Sequence, residues 1–204
     1  MMKSILENVV EFNRNSKLQS KENEYNIFSV LGIQSKEVLV CRMIADLLNP
    51  RGQHNMGSSY LKLFVRDILQ MGDIDVNILD RAVVTAEYMI DENRRIDILI
   101  EIGKTYIPIE VKIYAAEQKS QCYDYYKFAK SKDRDTNIVY LTRLGHMPSD
   151  YSTNGEFGTV PNHAIKCISF RNDITYWLRQ CLKISSTKIS EIIWQFMISI
   201  EFGG

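Results

Sequence analysis

The chain has little of what marks the specialised protein classes. Its four cysteines, Cys41, Cys122, Cys167 and Cys181, stand far apart and form no CxxC pair, which leaves no zinc knuckle and no disulfide framework to read. Four prolines and ten glycines in 204 residues exclude collagen-like and low-complexity compositions. No segment repeats. No apolar run approaches the roughly 18–20 residues needed to span a bilayer, and the opening MMKSILENVVEFNRN has neither the apolar core nor the cleavage site of a signal peptide. Neither charge dominates: 25 Lys and Arg face 25 Asp and Glu. Global charge therefore gives no pull on nucleic acid, and any phosphate-binding surface must be local. A mild asymmetry remains, with 12 basic and 15 acidic side chains over residues 1–102 and 13 and 10 over 103–204. These features describe a reduced, cytoplasmic globular chain with no membrane segment, in which Cys41 and Cys181 are expected as buried free thiols.

What is present suits one well-cored domain, with 45% hydrophobic and 25% charged residues. Its parts read as a helical portion over 1–72, a core over 82–142 and C-terminal helices over 171–202. Residues 3–13 suit a short amphipathic helix. Over 35–48, Val38, Leu39, Cys41, Met43, Ile44, Leu47 and Leu48 recur at helical spacing; Ser35 is the expected N-cap, and Asn49-Pro50 the stop. A second helix is expected over 59–71. The period then changes. Residues 82–90 are rich in β-branched side chains, 95–102 alternate with Ile96, Ile98, Ile100 and Ile102 on one side, and a Gly103-Lys104 turn leads to a second alternating run over 106–113. Pro108 cannot donate to a ladder and needs an open position there. A helix over 115–130, a strand over 138–142, a loop over 144–162, a short edge strand at 168–170 and helices over 171–182 and 187–202 complete the chain. This order predicts an α/β sandwich around a mixed sheet, with helix 115–130 as the crossover between parallel strands.

The chemistry concentrates in RRIDILIEIGKTYIPIEVKIYAAEQKSQCYDYY. Residues two apart in a strand share a face, so Glu110 and Lys112 project together, and Asp97 on the preceding strand can approach Glu110. Two carboxylates at close range repel unless a cation lies between them, and a hard ion such as Mg²⁺ prefers such oxygens. A bound ion could polarise a phosphodiester and activate water, while Lys112 could orient that water or offset charge developing on the phosphate. A solvated strand face shows the same alternation of charges. The dense apolar run Ile107, Ile109, Val111 and Ile113 argues against it, because charges close to a core rarely lack partners.

Asp97, then twelve intervening residues, then Glu110-Val111-Lys112 resembles the PD-(D/E)XK nuclease signature, with Ile96 in place of the nominal proline. Gln121-Cys122-Tyr123-Asp124-Tyr125 resembles the Q-x-x-x-Y element of the RecB-type members, and Gln118, Gln121 and Tyr125 would form one stripe of the following helix. The resemblance extends to NIFSVLGIQSKEVLVCRMIADLLNPRGQHNMGSSYLKLFV upstream and ISFRNDITYWLRQCL downstream. It implies a restriction-endonuclease-like α/β/α three-layer sandwich with an αβββαβ core, acting as a Mg²⁺- or Mn²⁺-dependent nuclease on nucleic acid, DNA before RNA. It implies Asp97 and Glu110 as metal ligands with the Val111 carbonyl a third, Lys112 as the catalytic lysine, and Gln121 and Tyr125 as groups that hold the site and contact phosphate. Glu37 and Glu87 are further acidic candidates for the metal site. For Glu37 the alternative is a helix-start glutamate favoured by the dipole.

Other residues leave alternatives open. His54, His146 and His163 share no zinc-ligand spacing, and His54 is read as part of its loop. Arg94 and Arg95 either clamp a phosphate or pair with Asp91 and Glu92. Lys127, Lys130, Lys132 and Arg134 form a solvated face or a track for a nucleic-acid backbone, and Tyr123, Tyr126 and Phe128 are read as core. Two rival functions stand beside the active DNase: a catalytically silent nuclease-fold module of a larger defence or repair complex, and an RNA-cleaving enzyme. A homodimer would suit cutting two strands.

Overall fold

The computed structural model describes residues 25–202; the helix expected over 3–13 lies outside them. The first elements are a single helical turn, α1 (Ile27–Val30), capped by the Asn26 side chain, and the helix α2 (Glu37–Leu48). α2 buries Val40, Cys41, Ile44, Ala45, Leu47 and Leu48, a one-sided stripe at the 3.6-residue period. Fully burying each large aliphatic side chain contributes about 1.5–3 kcal/mol. Ser35 is not its cap. The Ser35 hydroxyl donates to the Gly32 carbonyl inside a preceding 3₁₀ turn, and Lys36 occupies the cap position with no side-chain bond. The second expected helix is α-helical only as α3 (Ser59–Leu63). It continues as a wider π turn (Phe64–Ile68), closed by the Leu69 N–H on the Phe64 carbonyl at 3.0 Å. A short turn, α4 (Val76–Leu79), precedes the sheet.

The sheet has five strands, β1 (Val83–Met89), β2 (Arg95–Ile102), β3 (Thr105–Lys112), β4 (Ile138–Thr142) and β7 (Ile165–Ser169), side by side in that order. β1, β2 and β3 are antiparallel neighbours, whereas β3, β4 and β7 run parallel. Parallel neighbours require a crossover, and α5 (Gln121–Lys132) supplies the one between β3 and β4. Between β4 and β7, the expected loop contains a turn, α6 (Asp150–Thr153), and a two-rung hairpin of β5 (Asn154–Gly155) and β6 (Gly158–Thr159). Helices α7 (Thr175–Ile184) and α8 (Thr187–Phe202) finish the chain. Pro108 is accommodated because the β3–β4 ladder begins only at Ile109.

Two apolar layers cover the two faces. On one, Ile98, Ile100, Ile109, Val111, Val139, Leu141 and Ile168 pack with α2, α3 and α7. On the other, Cys122, Tyr125 and Tyr126 of α5 pack on Ile138, Tyr140, Ile96 and Leu99. This is the α/β/α sandwich with a mixed sheet that the element order predicted. Cys41, Cys122 and Cys181 are buried free thiols. Among the described residues no helix is long and apolar enough to cross a membrane.

Two sequence expectations differ from the structure near β2 and α5. The alternation of β2 breaks at Asp97: Ile96 joins Leu99 and Tyr125 instead of the Ile98 side. The rung that would pair Glu87 with Asp97 is missing between Ala86–Ile98 and Tyr88–Ile96, and Glu87 has a φ of 56°, a left-handed backbone that costs a non-glycine residue energy. The helix expected from residue 115 begins only at Gln121. Residues ahead of it are tied down elsewhere: the Ser120 N–H donates to the Tyr151 carbonyl, Ser120 is left-handed at φ 57°, and Arg94 binds both Gln118 and the Lys119 carbonyl. Gln118 therefore stands outside the helical stripe assigned to it.

Candidate active site

The carboxylates meet where β2 begins and β3 ends. The β2–β3 register pairs Ile98 with Ile109, so one step further Asp97 stands opposite Glu110, on the face shared with Lys112. The Asp97 Oδ2 accepts the Val111 N–H at 2.8 Å. Glu110 is 2% exposed and its Oε1 lies 2.5 Å from the Lys112 ammonium, itself only 10% exposed. That contact is an ion pair without hydrogen-bond alignment, and both Glu110 oxygens lack any hydrogen bond. Burial, then the neighbouring Asp97 charge, pushes the Glu110 carboxyl well above the ordinary range. Burial also raises Asp97, against the pull of the Val111 N–H and Lys112. A neighbouring negative charge that disfavours ionisation is the behaviour of adjacent acids. Burial alone would lower Lys112, but the Glu110 charge overrides it and raises the ammonium's pKa.

Two further acids reach this corner by different routes. Glu37 opens α2, and its Oε1 accepts the N–H groups of Ile113 at 2.6 Å, Tyr114 at 2.9 Å and Ala115 at 3.0 Å. It thus pins the chain as it leaves β3. Glu87 is held by two arginines: Arg42 of α2 at 2.5 Å on Oε2 and Arg95 at 2.8 Å on Oε1. Burial, and after it the charges of Asp97, Glu110, Glu37 and Glu87, raise the pKa of the Cys41 thiol beneath them.

Gln121 and Tyr125 form a second, linked unit. The Gln121 Nε2 donates to the Tyr125 hydroxyl at 3.0 Å, and that hydroxyl donates to the Arg95 carbonyl at 2.5 Å, tying α5 to β2. Tyr125 is 1% exposed, and its hydroxyl faces inward and holds α5 against β2. The buried Gln121 Oε1 has no hydrogen-bond partner. Burial, followed by the Glu110 charge, raises the Tyr125 hydroxyl.

The remaining candidates make contacts of their own. The His54 Nδ1 accepts the Met56 N–H and its Nε2 faces the Asn49 carbonyl, both at 3.0 Å, so the ring carries its proton on Nε2 and closes the loop. Gly52 is required beneath it, because a Cβ there would lie 2.2 Å from the Asp46 carbonyl oxygen. Arg94 and Arg95 pair as one alternative held, but with Asp124 and Glu87 in place of Asp91 and Glu92. Lys127, Lys130 and Lys132 lie over the rings of Phe157, Tyr126 and Phe128, while Tyr123, Tyr126 and Phe128 pack into the α5 layer. Two residues escaped sequence reasoning. Arg42 grips Glu87 from 45 positions away, with no local signal to find it. Glu117 accepts the Tyr140 hydroxyl at 2.8 Å and the Ser149 N–H at 3.0 Å; its place beside the Q-x-x-x-Y run was the available hint.

With this geometry in view, the sequence profile of the PD-(D/E)XK nuclease superfamily matches residues 25–199. The chain belongs to the PD-(D/E)XK nuclease superfamily. No curated protein and no solved structure matches it significantly. Membership accounts for the restriction-endonuclease-like arrangement of sheet and helices. The superfamily uses divalent metals, so the fit of the donor set matters. Among the described residues, no group of three or more His, Cys, Asp or Glu has the arrangement of a metal cage. Buried Glu110, its oxygens without hydrogen bonds, beside half-buried Asp97 nevertheless fits an ion such as Mg²⁺, which binds through one or two carboxylates and keeps several waters.

Proposed function

We propose that the chain is a divalent-metal-dependent nuclease that hydrolyses phosphodiester bonds, with DNA preferred to RNA. The observation that carries this reading is buried Glu110, both its oxygens free of hydrogen bonds, set between half-buried Asp97 and Lys112. Two carboxylates sharing one ammonium at a largely buried corner are costly, and a cation would offset the remaining charge. Asp97 and Glu110 are the residues to hold Mg²⁺ or Mn²⁺, with the Val111 carbonyl and water completing the shell. Glu37 and Glu87, engaged by amides and arginines, stand behind them as supports. When bound, the ion supplies a polarised phosphate and a water of lowered pKa.

The chain's own groups do the rest. The Glu110 charge raises the Lys112 pKa against burial, which suits Lys112 as a positive charge beside the phosphate. The Asp97–Val111 bond locks the relative position of β2 and β3 at the reacting corner. Gln121, anchored through Tyr125, presents an unsatisfied amide oxygen that can orient water.

The test is side-by-side digestion of DNA and RNA with Mg²⁺, Mn²⁺ or EDTA, using the wild type and Asp97→Asn. Metal-dependent cleavage that disappears in Asp97→Asn is expected, faster on DNA. A wild type that cuts neither polymer with either metal removes the reading.

A further inference from the structure

The segment that leaves β3 also forms a wall of a cavity of about 290 Å³. It lies beyond the C-terminal ends of the three parallel strands: Ile113 and Tyr114 follow β3, Arg143 and Leu144 follow β4, and Phe170 and Arg171 follow β7. Crevices at this end of the strands are where open α/β sheets bind ligands. Phe170 and Arg171 belong to a π turn (Phe170–Ile174), a form of helix frequent at functional sites. Glu37 fastens the amides of Ile113 and Tyr114, so the cavity is rigidly joined to the carboxylate corner.

The lining carries unneutralised positive charge. Among the described residues, no ion pair engages Arg143 or Arg171. The Arg171 N–H donates to the Arg143 carbonyl at 3.3 Å, which brings the two loops together. The Arg143 guanidinium lies 5.4 Å from the centre of the Tyr114 ring, a cation–π distance. The acid in the lining, Glu201, is 3.8 Å from Arg179. Gln34 contributes a buried side-chain oxygen with no hydrogen-bond partner, and Tyr114 and Leu144 are 52% and 68% exposed.

We propose that this cavity is a subsite for one nucleotide flanking the cleaved bond, its phosphate on Arg143 and Arg171 and its base against Tyr114 and Leu144. The proposal rests on the nuclease reading. Two guanidiniums lining one cavity suit phosphate oxygens, and aromatic faces take any base. The volume is at the small end for ligand sites; it admits a single nucleotide and not a duplex, so the subsite selects a single-stranded flank or end.

Binding of a short fluorescein-labelled oligothymidylate, followed by anisotropy in EDTA over a range of salt, tests this. Arg143→Gln/Arg171→Gln is expected to weaken binding about tenfold and to flatten the slope of log K against log salt by about 1.4, the share of two phosphate contacts on a single strand. Arg143→Lys/Arg171→Lys keeps the slope with a smaller loss of affinity. A control pair, Lys104→Gln/Arg134→Gln, lies at the opposite ends of β3 and β4 and leaves the slope unchanged. Thermal midpoints equal to the wild type's certify folding. The proposal is overturned if the wild type does not bind, if the cavity variants bind like it, or if the control pair loses as much. Because no metal is present, cleavage is judged separately. Arginine-dependent binding without cleavage removes the nuclease reading and leaves the subsite. Cleavage with arginine-independent binding does the reverse.

Discussion

Lys112→Met isolates the electrostatics of the buried corner. The ammonium sits 2.5 Å from a carboxylate that is 2% exposed, and removing one partner of such a pair costs about 3–5 kcal/mol if the other stays charged. Glu110 has an escape: it can take a proton. One pKa unit is worth about 1.36 kcal/mol, so against a free carboxyl of pKa about 4.3 that uptake costs about 1 kcal/mol at pH 5 and about 5 kcal/mol at pH 8. The wild-type Glu110 pKa is already raised by burial and Asp97. Stability linked to it is therefore present in acid, below the unfolded value, and is lost as pH rises through the folded value. Without Lys112 the folded value rises further, and the loss deepens on the alkaline side. The predicted destabilisation in EDTA is about 3–5 kcal/mol at pH 8 and at most about 1 kcal/mol at pH 5. Urea unfolding followed by the fluorescence of the buried Trp177 and Trp194 reads it directly. With a slope of about 2 kcal/mol/M, the midpoint should fall by roughly 1.5–2.5 M at pH 8 and by under about 0.5 M at pH 5. Equal shifts at the two pH values would refute the idea that Lys112 compensates a buried Glu110 charge.

Four other outcomes follow from the same contacts. The metal-free wild type should be most stable in mild acid and weaken towards pH 8, since Asp97 and Glu110 are both raised; a flat profile would show that neither is. Mg²⁺ or Mn²⁺ at a hundredfold excess over Kd should stabilise the wild type by about 2.7 kcal/mol and leave Glu110→Gln unmoved, with thermal melting as the readout. Tyr125→Phe strands the Gln121 amide and the Arg95 carbonyl, which should cost about 1–3 kcal/mol; a melting point within 1 °C of wild type, where about 2–4 °C per kcal/mol is expected, would contradict that. Glu37→Ala should speed hydrogen exchange at the Ile113, Tyr114 and Ala115 amides, with Glu37→Gln partly restoring protection; unchanged exchange in the alanine variant would show that the three bonds are not maintained.

The sequence by itself determined a good deal about this protein. The change from 3.6-residue to two-residue periodicity between α2 and β2–β3 marked helix and sheet, because hydrophobic spacing reports directly which face is buried. The Glu110–Lys112 spacing fixed their common face for the same reason, and the short β2–β3 turn kept Asp97 within reach. Local patterns could not show where α5 starts. That boundary depends on Arg94 and Tyr151, distant residues that hold Gln118 to Ser120 out of the helix. Nor could they show that Glu87 is turned by a left-handed backbone into the grip of Arg42 and Arg95, or that Tyr125 spends its hydroxyl on the Arg95 carbonyl. Periodicity is a property of neighbours along the chain, and so it is written in the sequence. The partners of a buried charge or hydroxyl are set by which elements are packed against it, and only the tertiary structure decided those.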